Sequence, residues 1–177
     1  FGSWVRDADS LSAMYKRFEL PKRSGGVREL LAPEPVLRWA QRCLLDRLLS
    51  KEELNDACHG FRVGHSTKTG AERHVGHEVV VNMDLRDFFP SITAARVSGV
   101  LKQIGAPVDD VGRGFLVDLL TCEGKLPQGA PTSPAIANLV ARRLDSRLSG
   151  LMRKVGGQYT RYADDLTFSG PTSILGC

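Results

Sequence analysis

The sequence lacks paired cysteines, long apolar runs and a nucleophile-elbow motif. Each shortage removes a class of protein. The four cysteines, Cys43, Cys58, Cys122 and Cys177, contain no CxxC pair and no zinc-site spacing, so a reducing cytoplasm is the expected setting. No apolar stretch approaches the roughly 20 residues that span a bilayer, and no membrane partner is expected. The opening Phe1-Gly2-Ser3-Trp4 lacks the charged and apolar regions of a signal peptide. No Gly-x-Ser-x-Gly elbow occurs, which argues against acyl transfer. Internal repeats and low-complexity linkers are also missing.

What is present is ordinary globular usage: 177 residues, 42% hydrophobic and 25% charged. That length corresponds to about one domain and permits a real core. Both ends look cut, so a piece of a longer chain is expected. The net charge is 24 − 20 = +4, which permits nucleic-acid binding without demonstrating it. Its distribution says more. Lys16, Arg17, Lys22, Arg23 and Arg28 stand against Glu19 alone, and Arg142, Arg143, Arg147, Arg153, Lys154 and Arg161 against Asp145. Each run reads equally as a solvated face.

The turn PKRSGG (21–26) followed by Val27-Arg28-Glu29-Leu30-Leu31 predicts a hairpin with a charged tip. Val36, Leu37, Ala40, Leu44, Leu45, Leu48 and Leu49 recur at helical spacing. Val79 to Leu85 reads as a buried strand ending in a carboxylate. Two further helices are expected around Val97–Ile104 and Phe115–Leu120. Ser133 as cap and Pro134 at the first helical position open a longer helix, with the stripe Ile136, Leu139, Val140, Leu144, Leu148 and Leu151. Gln158–Arg161 and Leu166–Ser169 predict two strands joined through Tyr162-Ala163-Asp164-Asp165. The fold class is α+β, an antiparallel sheet packed on helices.

Three segments carry chemistry. Adjacent Asp164 and Asp165 repel one another, and apolar flanks (Tyr162, Leu166, Phe168) make a plain surface turn unusual there. Such a pair favours a divalent cation, and hard oxygen ligands suit magnesium. Asp84 ends a second hydrophobic strand. Set beside the hairpin, it could share two metal ions with Asp164, an arrangement suited to phosphoryl or nucleotidyl transfer. The stretch LPQGAPTSP (126–134) is a rigid turn entering a helix. It can present backbone N–H groups and Gln128 to a substrate, or simply be a tight loop.

In order and wording these segments resemble the motifs of reverse transcriptases. NMDLRDFFPSI resembles the first catalytic motif, LPQGAPTSPAIANL the second and YTRYADDLTFSG the third. PKRSGGVREL resembles the fingers element that holds the incoming triphosphate, and HGFRVGHS the segment before the first catalytic motif. The resemblance covers roughly residues 20 to 170. "YADDLTFS" and "PQGAPTSP" are most similar to the bacterial retron type, although Gly70 stands where the retron NAxxH pattern, ending here at His74, has Asn.

The resemblance implies a reverse-transcriptase-like fold without a thumb. Residues 1–78, with 94–127, would form fingers, and 79–93 with 128–177 the palm. It implies catalytic Asp84, Asp164 and Asp165, which with the Leu85 carbonyl would hold two Mg2+ ions, Mn2+ being a substitute. Lys22, Arg23 and Arg28 would bind the triphosphate, Asp87, Gln128 and Gly129 the nucleotide, and Phe89 would be the steric gate against a ribose 2′-hydroxyl. Arg142, Arg143 and His74 would contact nucleic acid. Implied partners are an RNA template, a DNA or RNA primer, dNTPs and a cognate noncoding RNA, in a bacterial cytoplasm and in phage defence. Two other readings stay open: a group II intron or diversity-generating enzyme, and a non-catalytic RNA-binding remnant.

Overall fold

The computed structural model describes residues 11–21 and 26–176. In chain order its main elements are β1 (Tyr15–Pro21), β2 (Val27–Pro33), α1 (Pro35–Arg47), α2 (Thr67–Glu72), β3 (Val79–Asp84), α3 (Phe88–Ser91), α4 (Ala94–Gln103), α5 (Asp110–Leu120), α6 (Ser133–Lys154), β4 (Gln158–Tyr162) and β5 (Asp165–Gly170). Helices with antiparallel sheets give the expected α+β class. The chain forms two compact units. One takes the chain through Glu52 and then Phe89–Val140; the other takes Glu53–Phe88 and the chain from Ala141.

In the first unit β1 and β2 pair antiparallel from Tyr15↔Pro33 to Pro21↔Val27. The hairpin tip, with Lys22 and Arg23, lies outside the described residues. Only the root of the hairpin is buried: Tyr15 and Leu31 pack with Leu37, Cys122 and Ala130. Pro35 starts α1, where its fixed φ suits the helix and its missing N–H has no partner to lose. Gln41 is fully buried with half of its amide satisfied: Nε2 donates to Tyr15 Oη at 2.8 Å and to the Leu119 carbonyl at 2.9 Å, while Oε1 has no partner among the described residues. At the N-terminus of α5, Asp109 accepts from the Gly112 N–H at 2.7 Å.

In the second unit the strand order is β3-β5-β4, antiparallel throughout. Ala57, Met152, Tyr159, Leu166 and Ile174 form its core, with Leu85, Leu148 and Phe168 packed against it. α2 is closed by a capping box between Ser66 and Thr69.

Four sequence expectations change. The strand Val79–Asp84 is not buried: it pairs only with β5 among the described strands, and Val80 and Met83 are 50% and 57% exposed. A hydrophobic run alone does not separate an edge strand from a central one. Leu151 faces outward, and Met152, one position on in the helical turn, takes the core place. Val36 is exposed, while polar Gln41 lies inside. Ser133 lies within α6, and its buried Oγ has no hydrogen-bond partner, so it does not act as a side-chain cap.

Candidate active site

The site is built where two strands of the second unit end together. Asp84, the last residue of β3, stands directly across the ladder from Asp165, the first of β5. In an antiparallel pair, opposite residues project from the same face of the sheet, so the two carboxylates share a side. Asp164 sits in the two-residue connection between β4 and β5, whose strand ends Tyr162 and Asp165 are paired. The ladder continues one bond past the strand: the Leu85 N–H donates to the Asp164 carbonyl at 3.0 Å. The turn is thus tied to the end of β3. Ala163 has φ +56°, a left-handed conformation that ordinarily selects glycine at this position.

The carboxylates feel one another. Partial burial, and then the charges of Asp164 and Asp84, push the Asp165 carboxyl above its usual range. Uncompensated negative charge of this kind, carried entirely by hard oxygen donors, fits a divalent cation. Among the described residues no three acidic, His or Cys side chains converge closely enough to form a ready-made cage. An ion bound at this edge would have Asp84, Asp164 and Asp165 as its candidate ligands.

The remaining sequence candidates fall as follows. In the second unit Asp87, at φ +49°, turns the chain from β3 toward α3. Arg142 is half-buried and Arg143 exposed on α6. His74 is buried, and both ring nitrogens are occupied: Nδ1 is hydrogen-bonded to Ser169 Oγ at 2.6 Å and Nε2 to Thr160 Oγ1 at 2.7 Å. In the first unit Arg28 is exposed on β2, and Phe89 is half-buried in α3. The Leu31 N–H donates to the Gln128 carbonyl at 2.6 Å, which fastens the LPQGAP turn to β2. Gly129 is required there twice over: its φ is +118°, and a β-carbon would meet the Leu31 carbonyl oxygen at 2.9 Å.

Sequence reading missed the support beneath the turn. Arg161 is completely buried. Its Nε and Nη2 donate to the two Asp145 carboxylate oxygens at 2.8 Å each, and Nη1 donates to the Ala163 carbonyl at 2.9 Å. Tyr159 Oη also donates to Asp145, at 2.9 Å. The guanidinium carbon lies 6.0 Å from the centre of the Phe88 ring. Burial alone would lower the Arg161 pKa, but the Asp145 hydrogen bonds and charge more than offset it and hold it above its usual value. Burial also raises the Cys58 thiol, so it stays protonated beside Arg161. The one available signal was Asp145, the single acid within a basic stretch.

Paired strand-end carboxylates on a small antiparallel sheet suit phosphoryl or nucleotidyl transfer, and the comparisons with known proteins identify the family. The family model described as reverse transcriptase (RNA-dependent DNA polymerase) matches residues 20–173. The retron Mx65 reverse transcriptase of Myxococcus xanthus is 48% identical over 176 residues, 88% of this chain and 40% of that protein. The retron Mx162 reverse transcriptase of the same organism is 42% identical, covering 93% of this chain and 37% of that protein. The retron Ec86 reverse transcriptase of Escherichia coli is 38% identical over 81% of this chain and 44% of its own. Among solved structures, telomerase of Candida albicans in complex with a fragment of telomeric RNA aligns with TM-score 0.57 at 12% identity, over 92% of this chain and 38% of that one. Apo telomerase of Candida tropicalis gives 0.58 at 10%, over 92% and 39%, a likeness of fold. The chain belongs to the reverse transcriptase family, in its bacterial retron type. It spans about two fifths of the length of these curated relatives. No helix among the described residues is long and apolar enough to cross a membrane.

Proposed function

We propose that the protein is an RNA-directed DNA polymerase of retron type, adding dNTPs to a primer on a structured noncoding RNA, with a role in phage defence. The observation that carries this reading is Asp84 opposite Asp165, with Asp164 in the adjoining turn, on a chain of this family. Asp84 and Asp164 would hold two Mg2+ ions, or Mn2+ in their place, with Asp165 a weaker ligand and the Leu85 carbonyl completing the set. When bound, such ions lower the pKa of the primer hydroxyl and stabilise charge on the leaving pyrophosphate.

The chain's own residues do the rest. Arg28, with Lys22 and Arg23, neutralises the triphosphate, arginine offering the bidentate geometry. Asp87, Gln128 and Gly129 orient the nucleotide, and the Phe89 ring excludes a ribose 2′-hydroxyl. Arg142 and Arg143 contact template backbone. Residues 1–78 and 94–127 act as fingers, and 79–93 with 128–177 as palm. His74, hydrogen-bonded to Thr160 and Ser169, is in this reading a further contact to nucleic acid.

The test is primer extension by the purified protein on an RNA template with radiolabelled dTTP. Incorporation that requires Mg2+ or Mn2+ and stops on chelation is expected. Absence of incorporation on every RNA template–primer pair, including a cognate structured RNA, would overturn the proposal.

A further inference from the structure

We propose that Arg161 is a positioning residue for the catalytic turn: its buried guanidinium grips the Ala163 carbonyl and so fixes how Asp164 and Asp165 are presented to Asp84. This rests on the reverse-transcriptase reading of that site.

Three observations carry it. First, the turn needs holding. A non-glycine residue at φ +56° persists only where its surroundings over-determine it. The Ala163 carbonyl belongs to the peptide plane that leads into Asp164, so fixing that oxygen fixes the plane from which the first carboxylate departs.

Second, the geometry of Arg161 divides its labour. One edge of the fork, Nε and Nη2, is spent on Asp145 of α6, and the remaining nitrogen, Nη1, is aimed at the Ala163 carbonyl. Asp145 is itself held by Tyr159 Oη. A buried ion pair is a poor source of stability, since apolar residues of similar volume often do as well. This one does what an apolar pair could not: it directs an N–H at one backbone oxygen in the active-site turn.

Third, the turn is closed from a second side. The Arg161 N–H donates to the Ala57 carbonyl at 2.7 Å, and the His59 N–H donates to the Arg161 carbonyl at 2.8 Å. Residues 57–59 therefore run along β4 and bring Gly60 against Ala163, where a β-carbon would sit 2.5 Å from the Ala163 nitrogen. From Ala163 the constraint reaches β3 through the bond between the Asp164 carbonyl and the Leu85 N–H.

The test compares wild-type protein with Arg161→Lys, which keeps the charge opposite Asp145 but loses the fork. Two readouts are taken on protein shown by circular dichroism to be folded: steady-state dTTP incorporation, and hydrogen exchange at the Leu85 amide. We expect kcat to fall between about 10- and 100-fold with KM for dTTP nearly unchanged, the cost of a misplaced catalytic group. We also expect Leu85 exchange to accelerate. Should Arg161→Lys fail to fold, the paired variant Arg161→Met with Asp145→Leu removes both charges together and takes its place, with the same expectations. Wild-type kcat and wild-type Leu85 exchange in a folded variant would overturn the proposal. A purely structural role would lower the folded fraction and leave kcat per folded molecule alone. If the wild type itself incorporates nothing, the functional reading fails, while Leu85 exchange still decides whether Arg161 sets the turn.

Discussion

Gly60 packs against the backbone of Ala163 so closely that even one methyl group would have to displace the turn that carries Asp164. The obstacle is main chain on both sides, so no side chain can swing away to make room. Gly60→Ala is therefore expected to cost about 1–3 kcal/mol, the usual penalty for overpacking. The loss in dTTP incorporation should exceed what the loss of folded protein accounts for. Urea denaturation and primer extension on the same preparation check both parts.

The Arg161–Asp145 pair predicts an asymmetry between single and double substitutions. Asp145→Ala leaves a guanidinium buried without its counter-charge, and should destabilise the second unit by about 3–5 kcal/mol. Arg161→Met combined with Asp145→Leu leaves no buried charge and should recover most of that stability. Denaturation midpoints of the two variants measure it. Equal destabilisation would mean that the pair is not the buried, mutually satisfied unit described here.

His74 and His59 give stability a pH dependence. Burial foremost, and then the His77 charge, lowers the His74 pKa below 6.5; burial, His65 and nearby arginines lower that of His59. A histidine with a depressed folded value contributes stability that is complete above the unfolded value and is lost as pH falls through the folded one. The midpoint of urea unfolding should therefore change little just above about pH 7 and decline below about pH 6.5. His74→Asn should start lower, having given up a hydrogen bond, and decline less steeply. An identical slope in wild type and variant would remove His74 as a source of the effect.

Much of this architecture was legible in the sequence, and for clear physical reasons. Asp84 and Asp164-Asp165 announce themselves because carboxylates at the ends of apolar strands are costly without a task. The hairpin around PKRSGG and the helix around Ser133-Pro134 follow from local signals, a Gly-containing turn between apolar runs and a proline near a helix start, even though the expected serine cap does not form. Long-range pairings did not show. Arg161 and Asp145 lie on different elements, and charge counting placed both in one basic segment, although they neutralise each other inside the fold. The sequence offers His74 as a nucleic-acid contact and gives no sign of its burial, because its partners Thr160 and Ser169 come more than 80 residues later. The exposure of Val80 and Met83 depends on which strand lies at the sheet edge, a property of topology that a run of valines does not encode.

The central claim is that the strand-end carboxylates carry nucleotide addition. Its most direct test is dTMP incorporation on a poly(rA) template with an oligo(dT) primer and Mg2+, comparing wild-type protein with Asp84→Ala combined with Asp164→Ala. Incorporation is expected from the wild type and none above background from the double variant, which should remain folded because it loses mutually repelling charge. Incorporation by the folded double variant at the wild-type rate would contradict it.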